Sequence, residues 1–312
     1  MATDRHPLPQ LGGDLFLTDG GIETCLIYHE GLDLPLFAAF DLLKDDAGTD
    51  TLRRYFRCYF EVARRAGTGF VFESPTWRAS RDWGERLGYS AAALAAANRS
   101  AMALGAELRR EAGNVNTVLS GCVGPRGDGY RPEALMTGKE AHAYHAEQIE
   151  ALAEGGAEMI TAITMTHAGE AVGIARAANS MGLPVAISFT VETDGSLPSG
   201  QALAEAIADV DAATDGAPAY YMVNCAHPTH FADKLAGGGA WTARIRGLRA
   251  NASRCSHAEL DAATELDDGD PEEFGAQYAE LRRLLPQLAV LGGCCGTDHR
   301  HVEAICLAWT GA

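Results

Sequence analysis

Eight short apolar runs alternating with helical segments along 312 residues predict an α/β fold, a TIM (β/α)8 barrel. Each run is a continuous block of Val, Ile, Leu or Phe rather than a strict alternation, the pattern of strands buried on both faces in a parallel sheet. No linker, low-complexity tract or change of composition divides the chain, so residues 1–312 are expected to form a single barrel domain. A doubly wound sheet is the competing arrangement.

The runs are "DLFLTDGG" from Asp14, "GFVFESPTW" from Gly69, "NTVLSGCVGP" from Asn116 and "AEMITAITMT" from Ala157. Then come "PVAISFTVET" from Pro184, "AYYMVNCAHP" from Ala219, "RIRGLRANAS" from Arg244 and "LAVLGGCCG" from Leu288. Between them, "AALAAANRSAMALGAELRREAG" and "GKEAHAYHAEQIEALAEGGAE" carry apolar residues at helical spacing and end at glycine. "AGEAVGIARAANSMG", "SGQALAEAIADVDAATDG" and "EEFGAQYAELRRLLP" read the same way. Strand–helix–strand at this spacing implies crossover helices and parallel strands. The acidic, His-containing loop from Ala252 to Pro271 is long enough to form a lid or an extra helix.

Charge narrows the function classes. A net charge of −17 argues against nucleic acid as a partner, because phosphate binding needs a basic face. No stretch approaches the ~20 apolar residues of a membrane span. The opening "MATDRHPLPQ" has neither a basic n-region nor an apolar h-region, so a cytoplasmic protein is expected. In a reducing compartment, cysteines are thiols or ligands rather than structural disulfides.

Three barrel strands end in unusual residues. The first ends in Asp19, Gly20 and Gly21; the sixth in Asn224, Cys225 and His227; the eighth in the adjacent pair Cys294 and Cys295. Barrel active sites lie at the C-terminal rim. In a closed eight-strand barrel the first strand neighbours the eighth, and the sixth lies two strands from it. Cys225, Cys294 and Cys295 therefore converge. Three thiolates suit Zn²⁺ and leave a fourth position open, as catalytic zinc sites do. Gly292, Gly293 and Gly296 relieve the backbone where two neighbouring side chains face one ion. The competing reading is a set of buried or redox cysteines, which is accepted for Cys25, Cys58, Cys122, Cys255 and Cys306.

Taken together, "DGGIET", "VNCAHP" and "GGCCGTDHRHV" resemble the homocysteine S-methyltransferase family, and the resemblance covers nearly the whole chain. It implies a barrel with zinc on Cys225, Cys294 and Cys295. The implied substrates are a small thiol acceptor, homocysteine, and an onium methyl donor, a sulfonium by analogy with single-domain relatives. It further implies that the backbone of Gly20 and Gly21 takes the acceptor's carboxylate while Asp19 takes its ammonium. Trp77 is matched to an aromatic position that faces the donor's onium group by cation–π attraction, with rim packing as the alternative. Asn224 and Asn251, at strand ends, are assigned to orienting loops or substrate. His227 is read as supporting its neighbouring cysteine or as structural.

One position departs from the family. The fourth strand of relatives ends in Glu-Thr, and that Glu binds the ammonium; here Ile163 precedes Thr164. Either another carboxylate, Glu73 or Glu192, takes over, or the acceptor lacks an ammonium there. The alternatives outside this chemistry are a methyltransferase or demethylase for another small thiol or onium compound, and a zinc or redox sensor built on Cys294 and Cys295.

Overall fold

The computed structural model describes residues 8–132 and 135–311. The first seven residues, on which much of the leader reading rests, lie outside them. Eight parallel strands close into a barrel in sequential order. They are β1 (Phe16–Leu17), β2 (Gly69–Glu73), β3 (Thr117–Val123), β4 (Met159–Met165), β5 (Val185–Thr190), β6 (Tyr220–Asn224), β7 (Ile245–Ala250) and β8 (Val290–Gly293). All eight fall within the runs read from the sequence. β1 is only two residues long, yet it closes the ring by pairing Leu17 with Phe70 on one side and Leu291 on the other.

Two apolar layers hold the barrel. Between strands and helices lies a continuous core including Leu17, Phe56, Phe72, Ile160, Ile187, Leu248 and Leu291. Inside the ring, Phe16, Val71, Val118, Met159, Tyr220 and Val290 form a second cluster with Leu8. Most of these open their strands, so the N-terminal mouth is plugged. The chemistry is left to the other end.

The five helices read from the sequence form at Ala91–Ala112, Gly138–Glu154, Ala168–Ser180, Leu203–Thr214 and Pro271–Leu284. The sequence reading names none between the first two strands, where the structure has the long helix Asp46–Ala66. Its signals are local: the Asp45 side chain accepts from the Gly48 N–H at 2.8 Å, and Gly67 ends it at φ 67°. Leu52, Phe56, Tyr59, Phe60 and Ala63 form its buried stripe, diluted in the sequence by five arginines and three acids. The long loop after β7 contains the short helix His257–Ala262, started by a reciprocal Ser256–Glu259 cap. No helix among the described residues is long and apolar enough to cross a membrane.

Candidate active site and metal centre

Asp19, Glu73, Cys225 and Cys294 all stand at or just beyond C-terminal strand ends, so parallel strands bring them to one rim. There a cavity of about 410 Å³ opens, lined by all three rim cysteines, by Asp19, Gly20, Gly21 and Trp77, and by Ile163. Asp19 and Cys295 thus share one end of the barrel, as expected. The loop after β7 supplies part of the wall through Leu260, Asp261 and Leu266.

The sulfurs of Cys225, Cys294 and Cys295 lie within 4.8 Å of one another. A tetrahedral zinc site with Zn–S bonds of about 2.3 Å would hold them about 3.8 Å apart, within reach of modest side-chain rotation. The donor set therefore fits a zinc ion with one position open. The sequence reading expects thiols at all three positions; the structure instead draws Cys225 and Cys294 together in disulfide contact, their Cα atoms 5.4 Å apart, and leaves Cys295 free. The pairing also differs from the adjacent Cys294–Cys295 pair considered for a sensor. A disulfide and a three-thiolate metal site are mutually exclusive uses of the same sulfurs. Burial pushes the Cys295 thiol up to about 11, so without a cation beside it that group is neutral at pH 7.

Backbone strain concentrates here. Cys225 has φ 51° and Thr164 has φ 67°, both in the left-handed region that non-glycine residues avoid. Each is pinned. The Cys225 N–H donates to Arg249 O at 3.1 Å, and the His257 Nε2 lies 2.7 Å from the Cys225 carbonyl oxygen. The Thr164 N–H donates to the Asn224 Oδ1 at 3.0 Å, and the Thr164 hydroxyl sits 3.7 Å from the Cys225 sulfur. Gly296 takes φ 78° after the cysteine pair, while Gly292 is required by space: a Cβ there would meet the Asp19 carbonyl oxygen at 2.7 Å.

Several residues missed in the sequence frame the centre. Arg249, 6% exposed, reaches across the rim from β7. It pairs with Asp19 at 2.8 Å and donates to Gly293 O at 3.0 Å and Gly20 O at 3.1 Å. Asp19 also accepts from Thr18 at 3.0 Å and Tyr55 at 3.1 Å, so its carboxylate is already satisfied. The Tyr130 hydroxyl lies 3.6 Å from the Cys295 sulfur, and its ring stacks on His257 with centroids 4.0 Å apart. The acidic His-containing loop and the "RGDGY" turn were the available signals; their meeting needed the fold.

Other assignments shift. The Gly21 N–H donates to Thr297 O at 3.0 Å, so it is not open to a substrate carboxylate. Space explains that glycine: an added Cβ would meet the Cys294 carbonyl oxygen at 2.5 Å. Gly21→Ala is therefore expected to destabilise the protein by about 1–3 kcal/mol through overpacking, read as a lower urea midpoint with unchanged slope. An unchanged midpoint would show that the loops separate freely. Trp77 lines the cavity, but the Arg78 guanidinium already sits 4.1 Å from its ring centroid and 3.7 Å from that of Trp83. Its indole N–H donates to Ile163 O at 3.2 Å. Asn224 and Asn251 are not among the cavity-lining residues. Asn224 is a strut, accepting from Ser188 at 2.6 Å and from the Thr164 N–H. The His227 side chain caps the helix Pro228–Ala236, and burial lowers its pKa to about 4. Glu192 holds His257 at 3.1 Å and does not line the cavity.

The cavity is acidic: seven of its lining residues are carboxylates and two are arginines. Burial raises Glu23 and Glu73 to about 7 each.

Fold and site together define a barrel enzyme with three cysteines gathered at its C-terminal rim. The chain belongs to the homocysteine S-methyltransferase family, whose model matches residues 16–309, and it is an S-methyltransferase. No curated protein sequence matches it significantly. Among solved structures it is similar to the Escherichia coli homocysteine methyltransferase MmuM. The metallated form has 18% identity and a TM-score of 0.71, with 96% of each chain covered. The oxidized form has 21% identity and a TM-score of 0.72, covering 95% of this chain and 98% of that one. At such identities these likenesses speak for the barrel fold.

Proposed function

We propose that this protein moves a methyl group from a sulfonium donor to the thiol of homocysteine, giving methionine, with zinc held by Cys225, Cys294 and Cys295. The observation that carries the reading is the convergence of those three sulfurs at the floor of an acidic cavity. Zinc bound there supplies the positive charge that keeps an incoming thiol deprotonated at neutral pH. The thiol proton leaves to solvent. The thiolate sulfur then bonds the methyl carbon as the donor's S–CH3 bond breaks, and that bond's electron pair returns to the donor sulfur. Charge is neutralised in this step, so a site screened from water favours it.

The chain's own groups do the positioning. Tyr130 approaches Cys295, and His257 holds the strained Cys225 peptide. The excess of carboxylates attracts a cationic donor. The purified, reduced protein is expected to hold about one zinc per chain. It should methylate homocysteine in a screen crossing several thiols with several onium donors. Chelation should abolish the transfer and zinc should restore it. A protein that binds zinc stoichiometrically yet methylates no thiol from any donor would instead support a sensor.

A further inference from the structure

Glu73 ends β2 and is 4% exposed. It lines the cavity, and neither carboxylate oxygen has a well-formed hydrogen bond among the described residues: the nearby Ser120 and Thr161 hydroxyls bond each other at 2.7 Å. Buried carboxylates are almost always partnered, and an orphan carries the full desolvation cost of its charge. The nearest basic group electrostatically, Arg249, is spent on Asp19 and two carbonyls. The two buried carboxylates Asp19 and Glu73 thus share one buried guanidinium, and the surplus negative charge falls on Glu73. Burial raises the Glu73 pKa to about 7, and the charge of Arg249 with the Ser120 and Thr161 hydroxyls offsets that rise only in part. Elsewhere on the cavity wall, β4 offers Ile163 and Thr164, neither of them charged, Glu23 is less buried than Glu73, and Glu192 is turned away to His257.

We propose that Glu73 is the ammonium-binding residue for the thiol acceptor, which makes the enzyme selective for amino-acid thiols over their des-amino analogues. An ammonium brings one positive charge and three N–H donors, enough for both orphan oxygens. A sulfonium centre brings charge without donors and leaves those oxygens unsatisfied. The acceptor rather than the onium centre of the donor is therefore the partner that Glu73 fits. A site built to hydrogen-bond a charged group rejects the analogue that lacks it, because its own buried carboxylate is then left unpaired.

This inference rests on the thiol-acceptor reading above, and binding to the metal-free protein separates the two. Methionine and 4-(methylthio)butyrate, which differ by the ammonium alone, are titrated calorimetrically into metal-free wild type and into Glu73→Gln. Wild type is expected to bind methionine at least about tenfold more tightly, and Glu73→Gln to erase that preference. The variant is close to isosteric and loses a buried charge, so its melting temperature should equal or exceed that of wild type, which checks its fold. In the zinc-loaded enzyme, KM for homocysteine should rise at least about tenfold in Glu73→Gln, while KM for 4-mercaptobutyrate stays constant. Equal wild-type binding of the two ligands, or a methionine preference that survives in Glu73→Gln, overturns the proposal. If the loaded enzyme methylates no thiol while methionine binding still depends on Glu73, the transfer reading fails and the ammonium site stands.

Discussion

Serine at Cys225, Cys294 or Cys295 is expected to remove most of the zinc and to lower methyl transfer by more than about a hundredfold. Changing residues that merely support ligands typically costs about 10–100-fold, and losing a ligand costs more. A serine hydroxyl is not deprotonated at neutral pH and is a harder donor than a thiolate, so the oxygen does not replace the sulfur. Cys58→Ser is the control, because Cys58 is an exposed free thiol on the helix Asp46–Ala66. Zinc content by elemental analysis and initial rates on one preparation decide the matter. Full zinc in all three variants would remove the three-cysteine centre. Oxidation supplies a second route to the same end: protein with Cys225 and Cys294 joined should take up little zinc until reductant is added.

Truncating Arg249 to methionine should be the most destabilising single change at the rim, at about 3–5 kcal/mol. The guanidinium is buried, and its loss leaves Asp19 charged without its partner at 2.8 Å. It also abandons the carbonyls of Gly20 and Gly293, and with them the joint between the ends of β1, β7 and β8. Asp19→Asn in the same background should restore part of the loss, because the unpaired charge goes with it. Urea unfolding of wild type, the single variant and the double variant measures this. A shift below about 1 kcal/mol in Arg249→Met would show that water reaches Asp19 and that the pair is not a structural joint.

Much of the rim was legible because it depends on period and order. Continuous apolar runs mark strands buried on both faces. Once eight are counted, closure makes β8 the neighbour of β1, and residues after parallel strands share one end. Cys225, Cys294 and Cys295 could be brought together by that argument alone, 69 residues and two strands apart though Cys225 and Cys294 are. The family likeness was legible in the same motifs, and the family match bears it out.

What stayed hidden depends on where side chains spend their hydrogen bonds. "DGG" shows an acid and two glycines; it does not show that Arg249 neutralises the acid or that Thr297 takes the Gly21 N–H. "VNC" shows an asparagine beside a cysteine; only the packed barrel turns it inward to brace Thr164. The strained φ of Cys225 and Thr164 has no sequence signature, because it is imposed by contacts from β7, β6 and the loop carrying His257. The sequence by itself determined the barrel, its working end and the sulfur centre, since these follow from local periodicity and chain topology. Only the tertiary structure decided which charges are satisfied and which, at Glu73, is left open. Burial and pairing belong to residues brought together from distant strands, and no local pattern records them.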